Sequence, residues 1–300
     1  MKNNYLVMGL ISSYPLHYIK PFFTSLHKSG YREDVVMFVQ NIDKDTEDFI
    51  MPFCTEIIKY NEIWPYLDDP SLVEFIPKCN QQLTPHCLRY LLYNAFLKAR
   101  GMHYTLALIA DVRDVYFQKN PFGFPYKEGL SVFMENVSMT IGSQMHNRYW
   151  IEKGFGQKVL EQLFDKPISC SGVTLGDAKT MVDYLDKMIY HINIIENVPG
   201  LDQGIHNYLI HNNSLPYLTI YPDDAGSVST ISLFKPKEAV KIKNRNVIGL
   251  SGQIINIVHQ YDRSDRLLLA WNPRYYFEYK FNLLKGQIYP FWKWLKARFM

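Results

Sequence analysis

The chain has 300 residues, 47% hydrophobic and 20% charged, enough to bury a large core, which excludes a disordered tail or a disulfide-stapled miniprotein. Its 32 Lys and Arg against 29 Asp and Glu leave a net charge of +3, too small a surplus over this length for a dedicated nucleic-acid binder.

In chain order, short β-rich runs at 5–10, 34–39 and 105–110 alternate with amphipathic stretches at 17–28 and 84–100, which predicts βα alternation and a mostly parallel sheet flanked by helices. Leu88, Leu91, Leu92, Ala95 and Phe96 recur at helical spacing, with Pro85 where a first turn tolerates it and Gly101 at the close. The apolar run 106–110 reads as a strand buried on both faces that ends abruptly in Asp111-Val-Arg-Asp114. Carboxylates at the carboxyl end of a central strand occupy the region where open α/β sheets bind ligands.

Further along, helices are expected at 157–164, 177–191 and 202–211, and strands at 168–175, 217–221 and 254–259. No internal repeat or long linker interrupts them, so the reading is a single α/β domain over 1–275 with a C-terminal extension at 276–300. From residue 279 onward five basic residues (Lys280, Lys285, Lys293, Lys296 and Arg298) and no acidic one are interleaved with aromatic side chains such as Phe281, Trp292 and Trp294. That segment fits either an anionic membrane surface or a terminal helix that buries its aromatics on the domain.

Closely spaced carboxylates after a strand can hold a hard divalent cation through oxygen while substrate phosphates complete its shell. Taken alone, Asp111 and Asp114 equally fit a capped turn paired with Arg113. His259, at the end of a second apolar strand, adds an imidazole to the two carboxylates, a set that suits Mn²⁺ or Mg²⁺.

Leu108-Ile-Ala-Asp111-Val-Arg-Asp114-Val-Tyr-Phe-Gln118 followed by Asn120-Pro-Phe122 resembles the metal-binding DxD-type segment of GT-A-fold glycosyltransferases. Three more matches follow in order: Cys170-Ser171-Gly172 resembles a substrate-lining turn of small residues, Asp202-Gln203-Gly-Ile-His-Asn207 the DQ-x-x-x-N segment of the retaining glycogenin and lipopolysaccharide-galactosyltransferase type, and His259 the C-terminal metal-binding histidine. The resemblance covers about residues 5–265, and four motifs in order are more specific than any one.

The resemblance implies a GT-A-like fold and transfer of a sugar from a nucleotide-diphosphate sugar, commonly a UDP-sugar, to a hydroxyl of a glycan or lipid-linked glycan. It implies Asp111, Asp114 and His259 as ligands of Mn²⁺ or Mg²⁺, although the spacing here is DxxD. It further implies that Asp202 binds donor-sugar hydroxyls, that Gln203 lies near the anomeric carbon, and that anomeric configuration is retained. Gly9, Leu10, Ile11, Arg89, Arg113, Cys170, Ser171 and Gly172 are the expected donor contacts. Each has a plain alternative: Gly9 an ordinary turn, Arg89 an exposed helix charge, Arg113 a local ion pair, Asp202 a helix cap. An inverting reaction would instead need a carboxylate base, for which Asp262, Glu135 and Asp177 are loose candidates.

Other classes are less well supported. A nucleotidyltransferase would carry a glycine-rich basic loop after its first strand, and a catalytically inactive carbohydrate-binding or scaffold protein would have little use for both aspartates, the DQ pair and His259. A nucleic-acid module rests on the tail alone. Cys54, Cys79, Cys87 and Cys170 show no CxxC spacing, and no secretory pattern opens the chain, so a cytoplasmic location is expected, with peripheral membrane contact through 279–300. The sequons at Asn136 and Asn212 are read as chance, and no apolar run reaches the length of a membrane span.

Overall fold

The computed structural model describes residues 4–61, 66–79, 82–135, 138–223, 225–232, 240–249 and 251–283. In chain order its elements are β1 (Tyr5–Ser12), α1 (Leu16–Lys28), β2 (Asp34–Gln40), α2 (Lys44–Ile50), β3 (Glu56–Lys59), α3 (Pro70–Val73), α4 (Pro85–Phe96), β4 (Leu106–Ala110), β5 (Val115–Phe117) and β6 (Leu130–Met134). There follow α5 (Met145–Phe155), α6 (Gln157–Leu163), β7 (Ser169–Gly176), α7 (Ala178–Ile194), α8 (Leu201–His211), β8 (Leu218–Tyr221), β9 (Val228–Thr230), β10 (Ile242–Lys243), β11 (Asn246–Val247), β12 (Ile257–His259) and α9 (Asp265–Trp271).

Among the described residues, seven strands form the main sheet in the order β3-β2-β1-β4-β7-β6-β8. The pairs β3–β2, β2–β1, β1–β4 and β6–β8 are parallel, whereas β7 runs antiparallel to both β4 and β6. The expected α/β sheet flanked by helices is therefore present, with one reversed strand at its centre. β4 and β7 are almost wholly buried along their lengths, as strands covered on both faces must be.

One face of the sheet packs against α4, α7 and α8, where Leu6, Met8, Val36 and Phe38 meet Leu91, Leu92, Met181, Leu185 and Ile205. The other face is covered by α1, whose Ile19, Phe22, Phe23 and Leu26 lie in one cluster with Val7, Val35, Leu108 and Val173. A second, three-stranded sheet, β5-β12-β9, lies beyond the end of β4. Its ladder sets His259 opposite Val115 on one side and Thr230 on the other, so the strand carrying the histidine is zipped to the residue that follows Asp114.

Local chemistry fixes the helix starts. Pro85 occupies the first turn of α4, and the Asp177 side chain caps α7 by accepting from Thr180 N at 2.9 Å, which gives this carboxylate a structural task. The helix at 202–211 begins one residue early because Gly200, at φ +82°, supplies its cap. Asp202 thus sits inside the first turn, and its carboxylate is released from capping.

Residues 273–283 are helical, and Tyr275 stacks on Tyr18 of α1 with centroids 4.2 Å apart. The helix that opens the expected extension at 276 is therefore continuous with packed chain. Tyr279 and Phe281 are exposed. The rest of the basic, aromatic segment, 284–300, lies outside the described residues, as does Asn136. No helix among the described residues is long and apolar enough to cross a membrane.

Candidate active site

Asp111 leaves the end of β4, Asp114 follows within one turn, and the ladder of β12 brings His259 over both. His259 Nε2 lies 3.5 Å from Asp111 Oδ2 and 3.6 Å from Asp114 Oδ1. One ligand atom from each of the three residues falls within 4.8 Å of the others, so the DxxD spacing brings both carboxylates to the imidazole. The His259 ring is buried, yet neither nitrogen makes an aligned hydrogen bond among the described residues. Ligands about 2.1 Å from one ion at right angles lie about 3 Å apart. A buried, unsatisfied imidazole facing two carboxylates at slightly more than that spacing fits a divalent cation.

Gly172 makes the approach available. A Cβ there would lie 2.5 Å from His259 Nε2 and 2.7 Å from Asp111 Oδ2, and its carbonyl accepts the Asp111 N–H at 2.8 Å. Burial works against a charged His259, but the neighbouring Cys170 thiol and the Asp111 and Asp114 carboxylates raise its proton affinity well above the ordinary imidazole value. Asp111 shows the complementary shift: burial pushes its carboxyl up, but Arg89 first and His259 second hold it well below the usual carboxylate range.

Arg89 is a buried bridge, which removes the alternative of an exposed helix charge. One guanidinium nitrogen pairs with Asp111 and the other with Asp202 Oδ2 at 2.9 Å. Burial alone would favour loss of its proton, and the Asp111 and Asp202 carboxylates more than reverse that. The rigid fork of an arginine suits two carboxylates on different elements better than an ammonium does.

Beside that bridge, Gln203 is held at both ends of its amide. Its Oε1 accepts the Ser171 N–H at 2.9 Å, and its Nε2 donates to Ser169 O at 2.6 Å and Asn147 Oδ1 at 3.4 Å. Asn207 Nδ2 donates to the same Ser169 carbonyl at 3.0 Å, so the DQ-x-x-x-N residues clamp the start of β7. Cys170, Ser171 and Gly172 lie within that strand rather than in a turn, and all three line the site.

Two cavities meet here. One, of about 380 Å³, is bordered by Leu10, Ser12, Tyr14 and Asp111 to Asp114; the other, of about 390 Å³, by Glu135, Gln144, Asn147, Trp150, Cys170 to Gly172, Asp202, Gln203 and His259. His86, Arg89, Asp111 and Arg263 border both. Of Gly9, Leu10 and Ile11, expected as donor contacts, only Leu10 borders either of these cavities. The strand continues to Ser12, Gly9 abuts Val112 and Met37, and Ile11 belongs to the core under α1.

Arg113 pairs with Asp114 at 3.0 Å and with Asp262 at 3.5 Å, as its local-ion-pair alternative requires, while still bordering the first cavity. Asp262 also faces Arg263 at 3.6 Å, and burial raises its pKa, with the nearby Asp114 charge adding to the effect. Glu135 borders the second cavity, and burial raises its carboxyl above the ordinary value. Sequence reasoning missed Arg263, His86, Tyr14, Asn147 and Trp150. Arg263 alone carried a signal, a cation four residues after His259; the others come from segments with no motif.

The seven-stranded, mostly parallel sheet flanked by helices matches the GT-A type of α/β fold through its likeness to a solved structure. Among solved structures, the chain is similar to an active-site mutant of LgtC, with a TM-score of 0.51 and 9% identity over 85% of this chain and 86% of that one. A second structure, described as galactosyltransferase LgtC in complex with donor and acceptor sugar analogs, matches at a TM-score of 0.46 and 10% identity over the same shares. At such identity the first likeness establishes the fold. No protein-family model matches the chain, and the search of curated proteins gave no match.

Proposed function

We propose that the chain is a metal-dependent glycosyltransferase that moves a sugar from a nucleotide-diphosphate sugar, in the first instance a UDP-sugar, to a hydroxyl of a glycan or lipid-linked glycan. The observation that carries this reading is the Arg89 bridge, which couples the Asp111, Asp114 and His259 cluster to the Asp202 and Gln203 pair where two cavities join. Convergent charged groups lining a cleft are the usual mark of a binding or catalytic site.

In this reading the first cavity takes the nucleotide and the shared rim takes the diphosphate. Asp111, Asp114 and His259 would hold Mn²⁺ or Mg²⁺, which supplies positive charge to the departing diphosphate when bound. Arg263 adds a fixed cation on the rim common to both cavities. Asp202, with Oδ2 engaged by Arg89 and Ser171 Oγ, offers its other oxygen to a donor-sugar hydroxyl. Gln203 presents its amide beside the reacting carbon without room to swing, since three hydrogen bonds fix it. Such preorganisation stabilises developing charge without a reorganisation cost at the moment of reaction.

Retention of configuration is the outcome this arrangement favours, because the amide of Gln203 is the polar group placed next to Asp202 and carries no basic function. Glu135 is the residue on which an inverting route would depend. The basic residues interleaved with aromatics over 279–300 favour a peripheral contact with an anionic membrane, next to which a lipid-linked acceptor would lie.

The test is a screen of nucleotide-diphosphate sugars for Mn²⁺-dependent release of free nucleotide, with Asp111→Ala as the blank. Release from one donor by the parent protein alone supports the reading and identifies the nucleotide. Absence of both release and donor binding across the panel would overturn it.

A further inference from the structure

The second cavity has a wall that the donor chemistry above leaves unused. It is made by α5, whose His146 and Trp150 stand one turn apart with rings stacked at a centroid distance of 5.8 Å and an interplanar angle of 27°. Both border this cavity and neither borders the first. His146 is exposed and Trp150 partly so, which is not how a core pair is placed.

The tryptophan is fixed from behind. Its Nε1 donates to Pro199 O at 2.8 Å. The two glycines that flank the Asp202 and Gln203 pair are where its ring and stem rest: a Cβ at Gly200 would fall 2.8 Å from Trp150 Nε1, and one at Gly204 would fall 2.8 Å from its Cβ. The plane of the indole is thus tied to the same helical turn that carries Gln203.

Planar amides lie next to this wall. Gln144 Oε1 accepts from Asn147 N at 2.7 Å and Asn147 Nδ2 at 2.9 Å, and Asn147 Oδ1 in turn accepts from Gln203 Nε2 at 3.4 Å. Gln144 and Asn147 both border the cavity. An aromatic wall beside fixed amides matches a pyranose, which offers a face of C–H groups to a ring and a rim of hydroxyls to planar donors and acceptors.

We propose that His146 and Trp150 form the acceptor subsite, taking a pyranose whose apolar face packs on the two rings while its hydroxyls meet Gln144 and Asn147. This assignment rests on the transferase reading, in which nucleotide, diphosphate and donor sugar run from the first cavity to Gln203. The α5 wall is the next surface along that line. Carbohydrate at the acceptor end is therefore selected by ring face, and an acceptor with only a linear polyol or a peptide hydroxyl lacks the complementary surface.

The experiment measures saturation transfer by NMR from the protein, with UDP and Mg²⁺ present, to methyl β-galactopyranoside, methyl β-glucopyranoside and methyl α-mannopyranoside at millimolar concentration. At least one glycoside should receive transfer concentrated on the protons of one ring face. Its affinity should fall about tenfold in His146→Ala and in Trp150→Leu, the loss expected for one stacking partner. His146 is exposed, so its variant keeps the fold even if Trp150→Leu loosens α5; Tyr190→Ala, an exposed aromatic on α7 outside both cavities, should bind as the parent does. Binding of none of the glycosides to the parent, or equal binding by His146→Ala, would overturn the subsite. Donor hydrolysis and donor binding by the parent, measured in parallel, separate the two readings: glycoside binding with neither nucleotide release nor donor binding across the panel removes the acceptor role and leaves a saccharide-binding protein.

Discussion

Gly172 and His259 are in contact across two sheets: the backbone of β7 passes so close to the imidazole that a methyl group on Gly172 would lie 2.5 Å from Nε2. Hydrogen is the only side chain that lets the ring and the Asp111 carboxylate approach each other at that point. The Gly172→Ala variant should therefore keep its secondary structure but bind Mn²⁺ at least about tenfold more weakly, because displaced ligands lose the geometry a cation needs. Titration of Mn²⁺ by electron paramagnetic resonance checks this, and unchanged affinity would remove the role given to the contact.

Arg89→Lys should be costly despite conserving charge. A single ammonium cannot reach Asp111 and Asp202 together as the guanidinium does, and one carboxylate would be left buried without its partner. A loss of about 3 kcal/mol is expected by analogy with other broken buried pairs, seen as a lowered midpoint in urea, together with a fall in donor hydrolysis. A variant as stable and active as the parent would show that the bridge is dispensable.

Gln203→Ala should reduce turnover more than donor affinity, since the amide is tied into β7 and α5 and not into the first cavity. Removing it also leaves the Ser171 N–H unpaired, at about 1–3 kcal/mol. Comparing kcat with donor KM distinguishes this from a donor-binding role, in which KM alone would rise.

Acid should destabilise the fold through His206. Its ring is buried between Tyr184 OH at 2.7 Å and Ser169 Oγ at 3.0 Å, and burial, helped by Arg89, lowers its pKa to about 3. The unfolded chain binds this proton near pH 6.5 and the folded chain does not, so the neutral ring's stabilisation is complete above pH 6.5. It is lost as pH falls from there toward 3, about 3 kcal/mol by pH 4. Chemical denaturation from pH 7 to pH 4 should show this slope in the parent and a shallower one in His206→Asn.

Truncation after residue 284 tests the tail. If 285–300 anchors the protein, the shortened form should lose salt-sensitive binding to vesicles containing phosphatidylserine while keeping the parent's donor hydrolysis under the proposed function. Unfolding on truncation would instead place the aromatics in the core.

Much of this fold is legible in the sequence because its central elements state their environment locally. Leu106 to Ala110 has no polar side chain and becomes β4, and the helical spacing of Leu88 to Phe96 becomes the buried face of α4. α5 is not legible: Met-His-Asn-Arg-Tyr-Trp-Ile-Glu-Lys has no continuous apolar stripe, and only Asn147 and Ile151 of that helix are buried. β6 hides differently, since its five residues are buried on both faces and include Ser131, leaving no alternation to read. At the site, residue types with scarce chemistry, namely paired aspartates, a strand-end histidine and a DQ pair, could be found from pattern. The Arg89 bridge could not, because nothing in an i, i+4 pattern tells which arginine is turned inward toward carboxylates 22 and 113 residues away.

The reversed direction of β7 bears on the order in which the site comes into being. Because that strand starts where β4 ends, Asp111 and Gly172 are set by one main-chain ladder, and a nascent chain that has emerged through residue 176 already possesses both aspartates and their spacing. The imidazole arrives more than eighty residues later, on a strand whose partners are β5 and β9. Under the proposed metal-binding reading, the carboxylate half of the cluster would wait during synthesis, and the three-residue ligand set would be complete only when β12 docks. Capture of the ion would thus report that β12 has docked on β5 and β9.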